Sequence, residues 1–214
     1  SAAPAPVAPS VASVASAVPV APVASAPSTP PATPVASGPC TTLPRKESVT
    51  ARDGSVVYVE ENPAIKDEVP VDVAPRTNLC IVRPGAAPKL LLAGHPADEP
   101  SKSLVGMSEL VADPGADFVY FSTPAWVTSS AAHAVSLTTG AENFLTDGTV
   151  LEVLTKGKYA GKLVMSHFRL DGDYPVSSPK YRGRVEMYSV VDRAGKTVLK
   201  LPEDAAARKA LLAK

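Results

Sequence analysis

From Ser48 onward the chain alternates short apolar runs with clusters of Gly, Pro, Asp and Asn, the pattern of strands joined by turns. Val56–Val59 follows the turn Asp53-Gly54, Phe118–Phe121 follows Asp113-Pro114-Gly115, and Leu163–Met165 follows Tyr159-Ala160-Gly161. Each leads through an irregular loop to a second strand: Leu79–Val82, Ala134–Leu137 and Val185–Val191. Each second strand runs into a turn with Gly at its tip, and a third apolar strand follows: Lys89–Leu92, Glu142–Leu145 and Thr197–Leu201. The turn glycines are Gly85, Gly140 and Gly195, spaced 55 and 55. Glycine takes the positive φ that a tight hairpin turn requires, so the recurrence has a physical meaning. Units near 48–94, 107–148 and 150–202 predict a repeat of small antiparallel sheets. Only the last dozen residues read as helix. In Pro202–Leu212, Pro suits the first turn, Glu203 and Asp204 sit at the positive end, and Arg208 and Lys209 sit near the negative end. That helix is expected to cap an exposed sheet edge or to fray in solvent.

Composition divides the chain in two. Residues 1–39 hold 12 Ala, 10 Pro, 7 Val, 7 Ser, 2 Thr and 1 Gly and no charge. Proline at that density forbids a continuous helix and removes sheet donors, and small side chains repay little chain entropy. The segment reads as a disordered, partly extended tether that spans about 35 Å as a flexible chain, and more when Pro-rich. It lacks a long aliphatic run and the basic start of a signal peptide. All 42 charged residues, 21 of each sign, lie in 40–214, which is long enough for one domain with its own core. The zero net charge offers no basic excess for nucleic acid and no polybasic segment for an anionic membrane.

Cys40 sits where the tether meets the body, and Cys80 lies in the apolar run Asn78–Val82. A bridge between them would staple the tether to a central strand and contribute at most about 4 kcal/mol. The alternative is two free thiols, with Cys80 as a small buried hydrophobe.

The segment Met107–Gly148 runs through a strand, Asp113-Pro114-Gly115, Phe118–Phe121, a loop, Ala132–Gly140 and Phe144–Gly148. This order resembles a blade of the TolB-like β-propeller repeat. Ser48–Gly94 matches the same outline, and Val150–Pro202 keeps its strands and the Asp192-to-Gly195 turn. The resemblance implies a binding scaffold of the bacterial envelope and no catalytic residues. Three blades fall short of the four or more that close a propeller. The expected fold is therefore all-β: repeated small antiparallel sheets, β-propeller-like or open and sandwich-like, with a short C-terminal helix. The uncharged Ala/Pro/Ser tether, which begins at Ser without Met, also resembles the spacer of envelope lipoproteins. Their lipidated Cys is not in this sequence.

Signals for chemistry are sparse. His95, His133 and His167 lie far apart, at no metal-ligand spacing, and read as surface or strand-end residues. No Gly-x-Ser-x-Gly elbow or phosphate-cradling Gly-rich loop occurs, and no cofactor is expected. Ser166 and His167 are neighbours on one strand and point to opposite faces. Ser129 and Ser130 lie in a loop near His133, where turn serines satisfy local backbone. Asp171-Gly172-Asp173 is half of a calcium-loop beginning, but the twelfth residue is Arg182 rather than Glu, which leaves a looser calcium site or a plain turn.

The informative surface is the set of loops between first and second strands: Glu61–Thr77, Ser122–Ala132 and Phe168–Arg184. The middle loop holds Trp126, and the third holds Phe168, Arg169, Tyr174, Tyr181, Arg182 and Arg184, residue types enriched at interaction hot spots. Trp126 is either such a hot spot or a plug folded over the core. These features point to a non-enzymatic periplasmic binding protein, tethered to the outer membrane as a lipoprotein or else secreted. Its partner would be an envelope protein or glycan, and an inhibitor or immunity role is one version. The rivals are an accessory that completes a β assembly and a hydrolase using His133, His167, Asp171 and Asp173.

Overall fold

The computed structural model describes Cys40 and residues 47–61, 77–126, 129–170 and 174–213. The tether 1–39, the span 62–76 of the first loop, and Asp171–Asp173 lie outside them. Among the described residues, twelve strands form three four-stranded antiparallel sheets, each a meander in chain order. The first sheet is β1 (Ser48–Thr50), β2 (Val56–Glu61), β3 (Thr77–Val82) and β4 (Lys89–Leu92). The second is β5 (Ser108–Ala112), β6 (Phe118–Ala125), β7 (Ser129–Ser136) and β8 (Glu142–Asp147). The third is β9 (Thr149–Val153), β10 (Leu163–Leu170), β11 (Arg184–Val191) and β12 (Thr197–Leu201). Helix α1 (Ala205–Leu212) ends the chain.

The central strands carry continuous apolar runs because they bury both faces. Successive side chains point to opposite sides of a strand. In β6, Val119 and Phe121 enter the core shared with Val57, Leu79 and Ile81 of the first sheet. Tyr120, between them, enters the core shared with Leu163, Met165 and Val191 of the third. In β7, Val135 faces the first core, and Ala132 and Ala134 face the second. The small alanines leave room for Met165 and Leu163. Truncating Phe121, which is fully buried, would cost about 3–5 kcal/mol.

The outer faces of the stack are partly covered. On the third sheet, Val164, Val190 and Leu201 form a further cluster against which Leu211 and Leu212 of α1 pack. The helix thus covers a sheet face, not the edge expected from sequence. Its cap is Asp204, whose carboxylate accepts from the Ala207 amide at 2.7 Å, so Pro202 precedes the helix instead of opening it. On the first sheet, Tyr58 and Cys80 are cross-strand partners on the face opposite Leu79, and both are buried. Cys40 is disulfide-bonded to Cys80 there.

Polar contacts tie sheet to sheet. Arg83 Nη2 donates to the Leu137 carbonyl at 2.7 Å, and Thr77 Oγ1 accepts from the Met107 amide at 2.8 Å. The irregularity between Ser108 and Val111 in β5, with Glu109 at φ 57°, turns the Leu110 amide toward Glu47 Oε1 at 2.5 Å. Between the second and third sheets, Arg193 donates twice to the Asp113 carboxylate.

Candidate functional site

The middle hairpin is tighter than its sequence suggests. Ser122–Ala132, expected as a loop, is mostly strand: β6 continues to Ala125 and β7 begins at Ser129, with Ala125 paired to Ser129. The polar stretch Ser122-Thr123 and Ser129-Ser130 belongs to the ladder, which hides the strand signal. Trp126 follows directly at the tip, 50% exposed, with φ at +50°. It does not plug the core. A left-handed backbone is costly for a residue with a Cβ, of order 1–2 kcal/mol, and glycine would sit there without strain.

Beside Trp126 lies an open groove of about 480 Å³ lined also by Ser129, Phe144, Leu145, Thr146 and Asp147. Phe144 is 40% exposed on β8. Sequence reasoning missed Phe144, which sits on the apolar strand read as Glu142–Leu145, and Asp147, because β8 runs on to Asp147. The available signal was the polar frame Glu142-Asn143 and Thr146-Asp147 around two apolar residues.

The third loop forms a separate set of contacts. The Arg184 guanidinium lies 3.5 Å from the Phe168 ring centroid, across the β10–β11 pair. Arg182 pairs with Glu203 at 3.0 Å, and Arg169 Nε contacts Met187 Sδ at 2.9 Å. Tyr174 is exposed, with Lys180 Nζ 5.7 Å from its ring, and the Tyr181 amide closes a turn onto Ser178. Leu170 and Val176 are exposed beside them. The expected binding residues therefore divide into a Trp126 groove and an arginine–aromatic loop, and the calcium candidates Asp171 and Asp173 lie outside the described residues.

His95 is exposed, as expected, but the other two histidines differ. His133 is no surface residue: it is fully buried in mid-strand, stacked on Phe121 at 5.1 Å with Phe144 edge-on at 5.7 Å. Its Nδ1 lies 2.6 Å from Glu142 Oε1 and its Nε2 3.1 Å from Thr123 Oγ1. This hydroxyl–imidazole–carboxylate line has the order of a nucleophile array, but Thr123 is as buried as His133. Ser129 and Ser130, the hydroxyls considered from sequence, are not its partners. His167, on β10, contacts the Asp147 carbonyl at 2.8 Å and Ser189 Oγ at 2.6 Å. His133 shares a strand face with Val135 toward the first sheet, and His167 shares one with Met165 toward the second. The second sheet's ladder therefore stands between the two imidazoles. Among the described residues, Cys40, Glu60 and Cys80 bring ligand atoms within 4.8 Å of one another, and the disulfide occupies both sulfurs.

The sequence matches no family model and no curated protein. Two solved structures are similar. One is an acylaminoacyl peptidase in complex with Z-Gly-Gly-Phe-chloromethyl ketone, at TM-score 0.46 and 12% identity, covering 72% of this chain and 24% of that one. The other is the Pyrococcus horikoshii acylaminoacyl peptidase in an orthorhombic crystal form, at TM-score 0.46 and 11% identity, covering 74% and 25%. The chain spans about a quarter of the length of each. A likeness at that level bears on neither the activity nor the site.

Proposed function

We propose that this chain is a non-enzymatic binding protein of the bacterial periplasm, built from TolB-like repeats, that presents its inter-strand hairpins to an envelope protein or glycan. The observation that carries the reading is Trp126, held half exposed and in a left-handed conformation at the tip of a fully paired hairpin. Strain of this kind persists where the surroundings enforce it, commonly at ligand clamps. The exposed apolar residues Leu170, Tyr174 and Val176 give the neighbouring loop a similar character. The disulfide is compatible with an oxidising compartment. The uncharged tether would supply reach from a lipid anchor at the outer membrane. The helix packed on the outer face of the third sheet speaks against a further sheet stacking there.

The test is capture from a native envelope extract with the full chain as bait, beside Trp126→Ala and an Arg182→Ala/Arg184→Ala double variant of confirmed folding. The reading expects a bound species that disappears with a loop variant. An empty capture, or one indifferent to every substitution, overturns it. Intact mass of the protein taken from its native membrane tests the anchor, and an unlipidated mature mass removes it.

A further inference from the structure

We propose that the groove between the β6–β7 hairpin and β8 is a carbohydrate subsite for a neutral or amino-bearing pyranose. The inference rests on the binding-protein reading and names the chemistry of its partner at this groove. A volume of about 480 Å³ falls within the ~300–1,000 Å³ usual for small-ligand sites. Its composition is divided in the way a sugar ring is divided. A pyranose carries C–H bonds on one face and hydroxyls around the rim. Trp126 and Phe144 turn exposed aromatic surface to solvent, which suits the C–H face. Ser129, Thr146 and Asp147 supply hydroxyls and a carboxylate for the rim.

Asp147 is oriented for that task. Thr146 Oγ1 donates to its Oδ1 at 3.1 Å, and His167 Nδ1 stands 4.0 Å from its Oδ2. The carboxylate is 55% exposed, and its two oxygens offer about four acceptor sites. Charge narrows the ligand further. Among the described residues of the lining Asp147 is the one charged group, which disfavours phosphate, sulfate and uronate sugars and suits neutral or amino sugars. Strand addition by a peptide is disfavoured on β8, because the β11–β12 turn lies against it, with Gly195 packed on the Leu145 carbonyl.

The chain holds a single Trp, so its emission reports this groove alone. The full chain is titrated with cellohexaose, maltohexaose, N-acetylchitohexaose and a chitosan hexamer, with oligogalacturonate as acidic comparator and a basic aromatic peptide as the rival occupant. We expect a saturable Trp126 shift with at least one neutral or amino sugar and none with oligogalacturonate. Asp147→Asn and Phe144→Ala should each weaken it at least about tenfold. Calorimetry on Trp126→Gly, which removes the ring and relaxes the backbone, should show a folded protein that no longer binds. No saturable shift with any of these sugars up to about 5 mM, binding of the peptide alone, or sugar binding indifferent to Asp147→Asn overturns the proposal. If no sugar binds but envelope capture still depends on Trp126, the subsite fails and the binding reading stands. If capture is also empty, both fail.

Discussion

Gly195 packs on the main chain of Leu145 so closely that a Cβ on it would overlap the Leu145 carbonyl. Gly140 bears the same relation to Leu91, where a Cβ would stand 3.0 Å from the carbonyl oxygen. Gly85 has nothing within 4 Å of that position. The three turns share positive φ, at 71°, 70° and 80°, but only the second and third press on the fourth strand of the preceding sheet. Among the described residues no sheet precedes the first. Gly85→Ala should therefore cost only the left-handed strain, about 1 kcal/mol, and Gly195→Ala about 2–4 kcal/mol as the turn lifts from β8. Urea unfolding of the three alanine variants checks the order, with Gly140→Ala between the others.

The Asp113 carboxylate is buried and accepts from Arg193 Nε at 2.8 Å, Arg193 Nη2 at 3.0 Å, Tyr120 Oη at 2.9 Å and the Gly115 amide at 2.8 Å. Burial pushes its pKa up, but the Arg193 bonds and the other donors outweigh it and hold the group below its ordinary 3.8. The folded value is thus depressed relative to the unfolded one. The stability it contributes is present above about pH 4 and is lost as pH falls through the folded value. Arg193→Ala should cost about 2–3 kcal/mol, less than a sealed pair because Arg193 is 41% exposed. The same substitution should move the acid-unfolding limb to higher pH. Urea midpoints across pH 2–7 would show both effects, and an unmoved limb would mean that Arg193 does not set the Asp113 charge.

Much of this fold is legible in the sequence because the turns are spelled out chemically. Lys89–Leu92 and Thr197–Leu201 have the strand limits that their apolar runs and bounding turn residues indicate. The Cys40–Cys80 bridge also matches its expectation. Less legible were strands made of small polar residues, such as Ser129–Ala132, where pairing and not hydrophobicity keeps the chain extended. Burial of His133 was hidden for a related reason. Its partners Thr123 and Glu142 come from two flanking strands, and only the register β6–β7–β8 places them around one ring. The Trp126 groove is likewise a product of register, since Phe144 and Asp147 lie well along the chain from the hairpin tip.

The Cys40–Cys80 bond joins residues 40 positions apart with Cα atoms 5.9 Å from each other. By loop closure its removal should lower stability by up to about 4 kcal/mol. Cys80 is fully buried with its Sγ 3.4 Å from Glu60 Oε2, so serine there could form a new bond to that carboxylate, and the informative variant is Cys40→Ala/Cys80→Ala. Thermal midpoints with and without a dithiol reductant provide the check. The wild type should fall toward the double variant on reduction, and the double variant should not respond.

Ser122 Oγ is buried without a hydrogen-bond partner among the described residues. A buried hydroxyl without a partner costs about 1–3 kcal/mol. Ser122→Ala removes it with little change in shape and should raise stability by about 1 kcal/mol in chemical denaturation. Destabilisation would show that the hydroxyl is satisfied in solution.

The line Thr123–His133–Glu142 should behave as a structural relay. With the Glu142 carboxylate accepting at 2.6 Å, Nδ1 carries the proton and Nε2 accepts from the Thr123 hydroxyl. Nitrogen-detected NMR should find that tautomer. Thr123→Val keeps the shape, removes the donor and should cost about 1–2 kcal/mol. His133→Ala also opens a cavity against Phe121 and should cost about 3 kcal/mol. Because both Thr123 and His133 are sealed from solvent, a fluorophosphonate probe should leave the native protein unlabelled. Labelling at Thr123 that vanishes in folded His133→Ala would make the same line a nucleophile array and return the protein to the hydrolases.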